Sequence, residues 1–318
     1  ASKLLAQLID PDTDILNPHA HSYITAAFFK RTIKHIPSVW MMNDMPLHSW
    51  ALWKESQLNL HASGQWLRRL LYTVLDWWKR YYIAAQDAVV VLDNMNEEFV
   101  RHYLKRPAFV VRSGLDLEQF SYVPRDTYHV GEIRILMTGI FAVHRRFEDV
   151  IEAVDILHSK TGCCLCLTIV GDQSTDPVYA HKIISLINSK GLSSQVTLLG
   201  RLSERDLCAQ YNNNDVFIFP NVIQTWGLAV FEAMASGMPV IVSRGAGSHE
   251  VLTHGENALL VNPAAPNEIA LAVERLMQDK ELYHRLSKMG RMFVEEHISW
   301  ERYAEDMEHI FKRYTKNS

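Results

Sequence analysis

At 318 residues the chain is long enough for two α/β domains, each with its own core. Its 48% hydrophobic and 21% charged residues are the balance of a globular protein. A net charge of −4 lacks the basic excess of a nucleic-acid binder, so no nucleic-acid partner is expected. No apolar run reaches the roughly 18 residues that cross a bilayer, and residues 1–10 do not read as a signal peptide.

Along the chain, short β-branched runs alternate with amphipathic stretches, the pattern of parallel sheets with crossover helices. Strands are expected at 14–19, 38–42, 88–92 and 109–112. A polar stretch at 121–132, punctuated by Pro124 and Gly131, reads as the linker between two domains. Further strands are expected at 134–139, 165–171, 196–200, 216–219, 240–243 and 258–261. Helices fill the gaps, among them 147–159, 177–190, 204–212 and 268–278. The domains then run over 1–121 and 133–297, joined by 122–132. The second holds a nearly complete doubly wound sheet. The first opens in a helix, without the strand and Gly-rich turn that start a Rossmann domain, and is expected to be incomplete in this chain.

Two features of these halves carry weak chemistry. Cys163, Cys164 and Cys166 fall in one strand, where alternation sets Cys164 and Cys166 on a common face. They read as core thiols of a reducing cytoplasm, and no second Cys/His cluster lies at metal-ligand spacing. Over residues 50–82, Trp50, Trp53, Trp66, Trp77 and Trp78 interleave with Lys54, Arg68, Arg69, Lys79 and Arg80. Such a segment can lie on a membrane surface. Leu70, Leu71, Val74, Leu75 and Trp78 also follow a helical stripe that serves as a core face. Core or interdomain packing is the reading adopted, with peripheral membrane or acceptor contact as the alternative.

The strongest signal is the string from Phe219-Pro220-Asn221 through Gln224-Thr225-Trp226-Gly227-Leu228 to Glu232-Ala233-Met234-Ala235-Ser236-Gly237-Met238-Pro239-Val240-Ile241. A strand ends at Phe219, a loop follows, and a helix runs from near Gly227 to Gly237. Ligands of open α/β sheets bind at such carboxyl ends of strands. The N–H groups of Trp226, Gly227 and Leu228 suit a phosphate at the helix start, and a carboxylate at Glu232 can accept two ribose hydroxyls. A second strand-loop-helix runs from Ile135 through Gly139, Ile140, His144, Arg145 and Arg146 to Ala153. Cations where a helix opens oppose its dipole unless an anion lies between them.

Together these stretches resemble the retaining GT-B glycosyltransferases of family four, the glycosyl transferases group 1. The first matches their E-x7-E signature around F/W-G-L and E-A-M-A-x-G-x-P-V-I, with Gln224 in place of the first acid. The second resembles G-R-x(4)-K-G-x(3)-L-I-x-A, whose Arg and Lys clamp the donor diphosphate. Arg145 stands at the Lys position and Ile140 at the Arg position, which leaves Arg146 or His144 to supply the missing charge. Gly114-Leu115-Asp116, Gly171-Asp172, Gly200-Arg201-Leu202-Ser203, Ser248-His249-Glu250 and Ser299-Trp300-Glu301 resemble supporting elements, Arg201 lying in the loop that brackets the nucleotide base. Asn43 falls where the family has a histidine, beside Asn17, His19 and His21. Asp10-Pro11-Asp12-Thr13-Asp14 mimics the D-x-D metal motif of the other major glycosyltransferase fold but reads as a turn.

The resemblance implies an α/β GT-B fold of two Rossmann-like domains facing a cleft, with residues 298–318 crossing back to the first domain. It implies a retaining, cytoplasmic hexosyltransferase using a UDP or GDP sugar, with no metal and no cofactor beyond that donor. Arg145, Asn43, Gln224 and Glu232 are the expected catalytic contacts. Gly139, Arg145, Arg146, Arg201, Thr225, Trp226, Gly227, Leu228 and Glu232 are expected to bind the donor. The acceptor would be a glycan, a lipid-linked sugar or a small molecule. An epimerase or phosphorylase of the same fold, or a binding module without turnover, are the rival readings.

Overall fold

The structure is a computed structural model and describes residues 1–44, 46–50, 65–125, 132–162 and 164–315. The chain divides into two compact units, 1–113 together with 300–318, and 114–299.

The first unit is built on a parallel sheet of β1 (Val39–Met41), β2 (Ala88–Val91) and β3 (Ala108–Val110), in that order. Around it lie α1 (Ser2–Ala6), α2 (Tyr23–Thr32), α3 (Gln65–Ile83) and α4 (Asn94–Phe99). Trp40, Val89, Val91, Tyr23 and Phe99 fill its core. The strand expected at 14–19 exists only as two parallel bridges, Leu16 to Ser38 and His19 to Met41. Pro18 is the cause, because it has no N–H to give the ladder. The Asn17 side-chain amide donates to Val39 O at 2.8 Å and takes the place of that missing donor. The rest of the pairing survives, with Leu16 N bonded to Pro37 O at 2.9 Å and Met41 N to Pro18 O at 2.8 Å.

The apolar stripe of α3 does not pack into the core of its unit, which overturns the core-face reading of its periodicity. Leu70, Leu71, Val74, Leu75 and Trp78 are all exposed. Trp53, Lys54 and the side chains of Trp66, Arg68 and Arg69 lie outside the described residues. The buried side of α3 holds a carboxylate instead: Asp76 accepts from the amides of His48 and Ser49 at 3.0 and 2.8 Å. That bond set fixes which side of the helix turns inward.

The second unit carries six parallel strands: β4 (Glu132–Thr138), β5 (Cys164–Val170), β6 (Val196–Gly200), β7 (Val216–Phe219), β8 (Val240–Ser243) and β9 (Leu259–Val261). Their order is β6-β5-β4-β7-β8-β9, the doubly wound arrangement whose winding reverses between β4 and β7. The connecting helices are α5 (Phe147–Thr161), α6 (Pro177–Ser189), α7 (Glu204–Asn213), α8 (Leu228–Ala235), α9 (Pro266–Gln278) and α10 (Lys280–His297). Ile135, Leu167, Val150, Ile218 and Val273 belong to one continuous core. In β5, Leu165 and Leu167 face that core and Cys166 is exposed, so Cys166 is not a core thiol. Cys163 and the Cys164 side chain lie outside the described residues.

Residues 121–125 belong to the second unit. Arg125 is buried and donates to the carbonyls of Tyr211, Asn212 and Asn214, the last of α7, which have no partner within the helix. The chain closes with α11 (Trp300–Thr315) in the first unit, where Arg313 and Tyr314 rest on Phe109.

Candidate functional site

The carboxyl ends of β4, β5 and β6 are joined backbone to backbone. Gly139 N donates to Val170 O at 3.0 Å, and Gly171 N donates to Gly200 O at 2.9 Å. The approach is close enough that a Cβ on Gly171 would lie 2.0 Å from Gly139 O. Above these ends opens a cleft of ≈ 380 Å³, lined in part by Thr138, Gly139, Ile140, Asp172 and Arg201, a size ordinary for a small-molecule site. The Asp172 carboxyl is held below its usual range by the Ser174 hydroxyl and amide, with Arg201 adding to the effect.

Three adjacent basic residues, His144, Arg145 and Arg146, follow β4, and the structure separates the two arginines. Arg145 ends a short 3-10 turn, Val143–Arg145, and folds back over Gly139, where a Cβ would stand 3.4 Å from Arg145 Cδ and 3.7 Å from Cζ. That sets its guanidinium at the end of β4, at the point where the winding reverses. Arg146 adopts the left-handed region (φ 54°) as N-cap of α5 and turns to carboxylates, bonding Asp149 at 2.5 and 2.9 Å and Glu148 at 3.3 Å. Asp149 and Glu148 lie in the first turn, where helix amides favour negative charge, so local stability accounts for Arg146. Tyr179 holds the arrangement, its hydroxyl donating to Glu148 and accepting from Phe147 N. His144 takes part through its backbone, its carbonyl accepting from Val222 N at 3.0 Å and tying the two loops together.

The loop after β7 runs extended against residues 245–248. Gln224 N bonds Gly245 O, Gln224 O accepts from Gly247 N, and Trp226 O accepts from Ser248 N at 2.9 Å. Thr225 and Trp226 are buried, with the Trp226 ring 4.6 Å from Phe231. Their side chains belong to the scaffold, and the surface they leave for a ligand is backbone. Gly227 (φ 91°) turns the chain into α8 without a side-chain cap, and a Cβ there would lie 2.7 Å from Phe219 Cε1. Only glycine fits, and the amides opening α8 through Leu228 carry the positive end of its dipole.

One and a half turns on, Glu232 Oε2 accepts from the buried Tyr211 hydroxyl at 2.7 Å. Burial pushes the pKa of the same Tyr211 hydroxyl up, and Thr138, in the wall of the cleft, acts against that effect. Nothing in the sequence singles out Tyr211, which the fold makes the one buried residue of the polar helix α7. Burial raises the Glu232 carboxyl above its usual pKa, with the Tyr211 bond acting in the opposite direction. Below the ordinary carboxylate range the group is protonated in folded and unfolded chains alike, and the penalty is absent. It builds as pH rises through the raised folded value. Glu232→Gln is therefore expected to melt higher than wild type at pH 7, with the gain fading toward about pH 4. Thermal scans at both values check this, and a gain that persists undiminished in acid would refute the cause given.

Asn43 belongs to the first unit, exposed in a bend after β1. Asn17 is committed to the pairing described above and bonds the exposed His19 at 2.9 Å.

A doubly wound sheet, a glycine-lined cleft over the ends of β4, β5 and β6 and an arginine laid across Gly139 at the neighbouring reversal define an α/β protein of the Rossmann class. A sequence model of the family described as Glycosyl transferases group 1 matches residues 124–293, and the chain belongs to that family. It is 27% identical over 181 residues to an uncharacterized glycosyltransferase of Methanocaldococcus jannaschii, covering 57% of this chain and 45% of that one. It is 23% identical over 176 residues to the mannosylfructose-phosphate synthase of Agrobacterium fabrum, covering 54% and 39%. The matches thus span under half the length of these relatives. Anabaena HepE, solved in complex with UDP-glucose, superposes with a TM-score of 0.75 at 15% identity over 98% of this chain and 82% of that one. The shared architecture is GT-B.

Proposed function

We propose that the chain transfers a hexosyl unit from a nucleoside-diphosphate sugar to an acceptor hydroxyl, with retention of configuration. The observation that carries this is the Arg145 guanidinium folded over Gly139, at the reversal point of the sheet and beside the cleft. A fixed cation there neutralises charge growing on the leaving diphosphate, which is commonly the largest catalytic contribution. The amides of Trp226, Gly227 and Leu228 at the start of α8 hold the phosphates. Glu232, oriented by Tyr211, accepts the ribose hydroxyls, and the base occupies the cleft beside Arg201. Gln224 contacts the sugar. The leaving phosphate then takes the acceptor proton, in keeping with retention in a site that uses no carboxylate nucleophile. The UDP-glucose complex of HepE, alike in fold, supports a donor of this class, UDP or GDP linked. A glycan, a lipid-linked sugar or a small molecule would supply the hydroxyl. An exposed Cys166 thiol suits the reducing cytoplasm.

Isothermal titration of UDP, GDP and ADP tests the reading. One nucleotide is expected to bind in the micromolar range, at least tenfold more weakly to Arg145→Ala, about 1.4 kcal/mol. Equal binding by the folded variant would remove Arg145 from the site. Binding of a nucleotide with no transfer from its sugars to any acceptor would favour a binding module.

A further inference from the structure

The cleft over β4, β5 and β6 is lined by two opposite charges that the fold holds as neighbours. Asp172 and Arg201 each stand one residue beyond a glycine, and those glycines are bonded to one another, Gly171 N to Gly200 O at 2.9 Å. Gly200 takes a left-handed turn (φ 69°) at the end of β6, and Arg201 follows it directly. The two side chains are thus fixed in register by the joint between β5 and β6.

Neither charge is fully engaged within the chain. Asp172 uses Oδ1, which accepts from the Ser174 amide at 2.9 Å and the Ser174 hydroxyl at 2.6 Å. Among the described residues its Oδ2 has no hydrogen bond, and the exposed Arg201 makes neither a hydrogen bond nor an ion pair. The Ser174 hydroxyl and amide, and then the Arg201 charge, hold the Asp172 carboxyl below its usual range, so it is ionised at neutral pH. Ile140, Val170, Leu202 and Leu207 give the same cleft apolar walls. A carboxylate and a guanidinium beside apolar walls suit a flat ring that carries paired donors next to paired acceptors.

Guanine has that pattern, with N1–H and the 2-amino group as adjacent donors and O6 and N7 as adjacent acceptors. Adenine would turn a ring-nitrogen lone pair to the carboxylate and an amino group to the guanidinium. Uracil offers the carboxylate one N–H, flanked by two carbonyl oxygens that the charge repels. We propose that this cleft selects guanine, with Asp172 Oδ2 accepting from N1–H and the 2-amino group and Arg201 donating to O6 and N7. The proposal rests on the donor reading given above and adds the base to it, so that the donor is a GDP-sugar.

Isothermal titration of GDP, IDP, UDP and ADP against the wild-type chain tests it, because IDP lacks only the 2-amino group of GDP. GDP is expected to bind about tenfold more tightly than IDP, and at least about tenfold more tightly than UDP or ADP. In Asp172→Asn, whose side chain can still accept from Ser174, GDP should weaken about tenfold and the gap between GDP and IDP should close. Thermal melting shows whether the variant is folded, and the wild-type comparison of GDP with IDP decides the matter if it is not. Tighter binding of UDP or ADP than of GDP overturns the proposal and leaves the donor reading standing, as does equal binding of GDP and IDP. An equal loss of GDP, UDP and ADP in Asp172→Asn overturns it by giving the carboxylate to the ribose. Binding of none of the four would remove the donor reading itself, and the proposal with it.

Discussion

Gly171→Ala is expected to destabilise the second unit by about 3 kcal/mol and to weaken nucleotide binding at least tenfold, although no ligand need touch Gly171. Its new Cβ would stand 2.0 Å from Gly139 O, and neither backbone is free to retreat. Gly139 is held through its N–H to Val170 and Gly171 through its own to Gly200, so any movement breaks the joint between β4, β5 and β6. Because Arg145 lies across Gly139, the displacement carries to the guanidinium. Gly139→Ala is the matched control: its Cβ would meet only the flexible Arg145 side chain, at 3.4 Å, and should cost far less. Urea unfolding measures the first effect and titration the second. If Gly171→Ala matched wild type in both, the close approach would have no structural consequence.

Arg125→Met should cost about 3 kcal/mol, lowering the melting temperature by roughly 6–12 °C. Arg125 is 8% exposed and donates to Tyr211 O, Asn212 O and Asn214 O at 2.7, 3.2 and 2.8 Å. Burial lowers its pKa, with Asp215 acting against that. The guanidinium thus supplies, in one group, the donors that the end of α7 lacks and a cation at the negative end of its dipole. Removing it leaves those carbonyls buried and unpaired. Arg125→Lys should fall between the two, since an ammonium cannot span all three acceptors. A loss below about 1 kcal/mol by calorimetry would mean that water replaces the side chain.

How much of this was legible in the sequence varied with the kind of information required. β6, β7 and β8 lie where their apolar runs end in Gly, Pro or a polar turn, as at 196–200, 216–219 and 240–243. The run at 14–19 gave the right partner and the wrong continuity, because periodicity does not count the donor that Pro18 lacks. His144, Arg145 and Arg146 are three neighbouring basic residues in one dimension. Only the left-handed turn at Arg146, fixed by Asp149, sends one arginine to a carboxylate and leaves the other over Gly139. In α3 the stripe itself was evident, but spacing cannot say which side of a helix the fold covers, and the buried bonds of Asp76 decided it. Tyr211 escaped notice for the same reason, its meaning lying in a contact with Glu232 across 21 residues of sequence.

The second unit begins at Gly114 and ends at Ser299, with the first unit's chain on either side. At that seam Leu115 N donates to Ile298 O at 3.3 Å. Entry and exit are thus neighbours, and the second unit is a cassette inserted into the first. Such a piece can be excised as residues 114–299, or its ends linked and the chain reopened elsewhere as a circular permutant, without rethreading its sheet. The same geometry lets one half be recombined with a different host, so that whatever the cassette binds and whatever its host recognises are free to change independently.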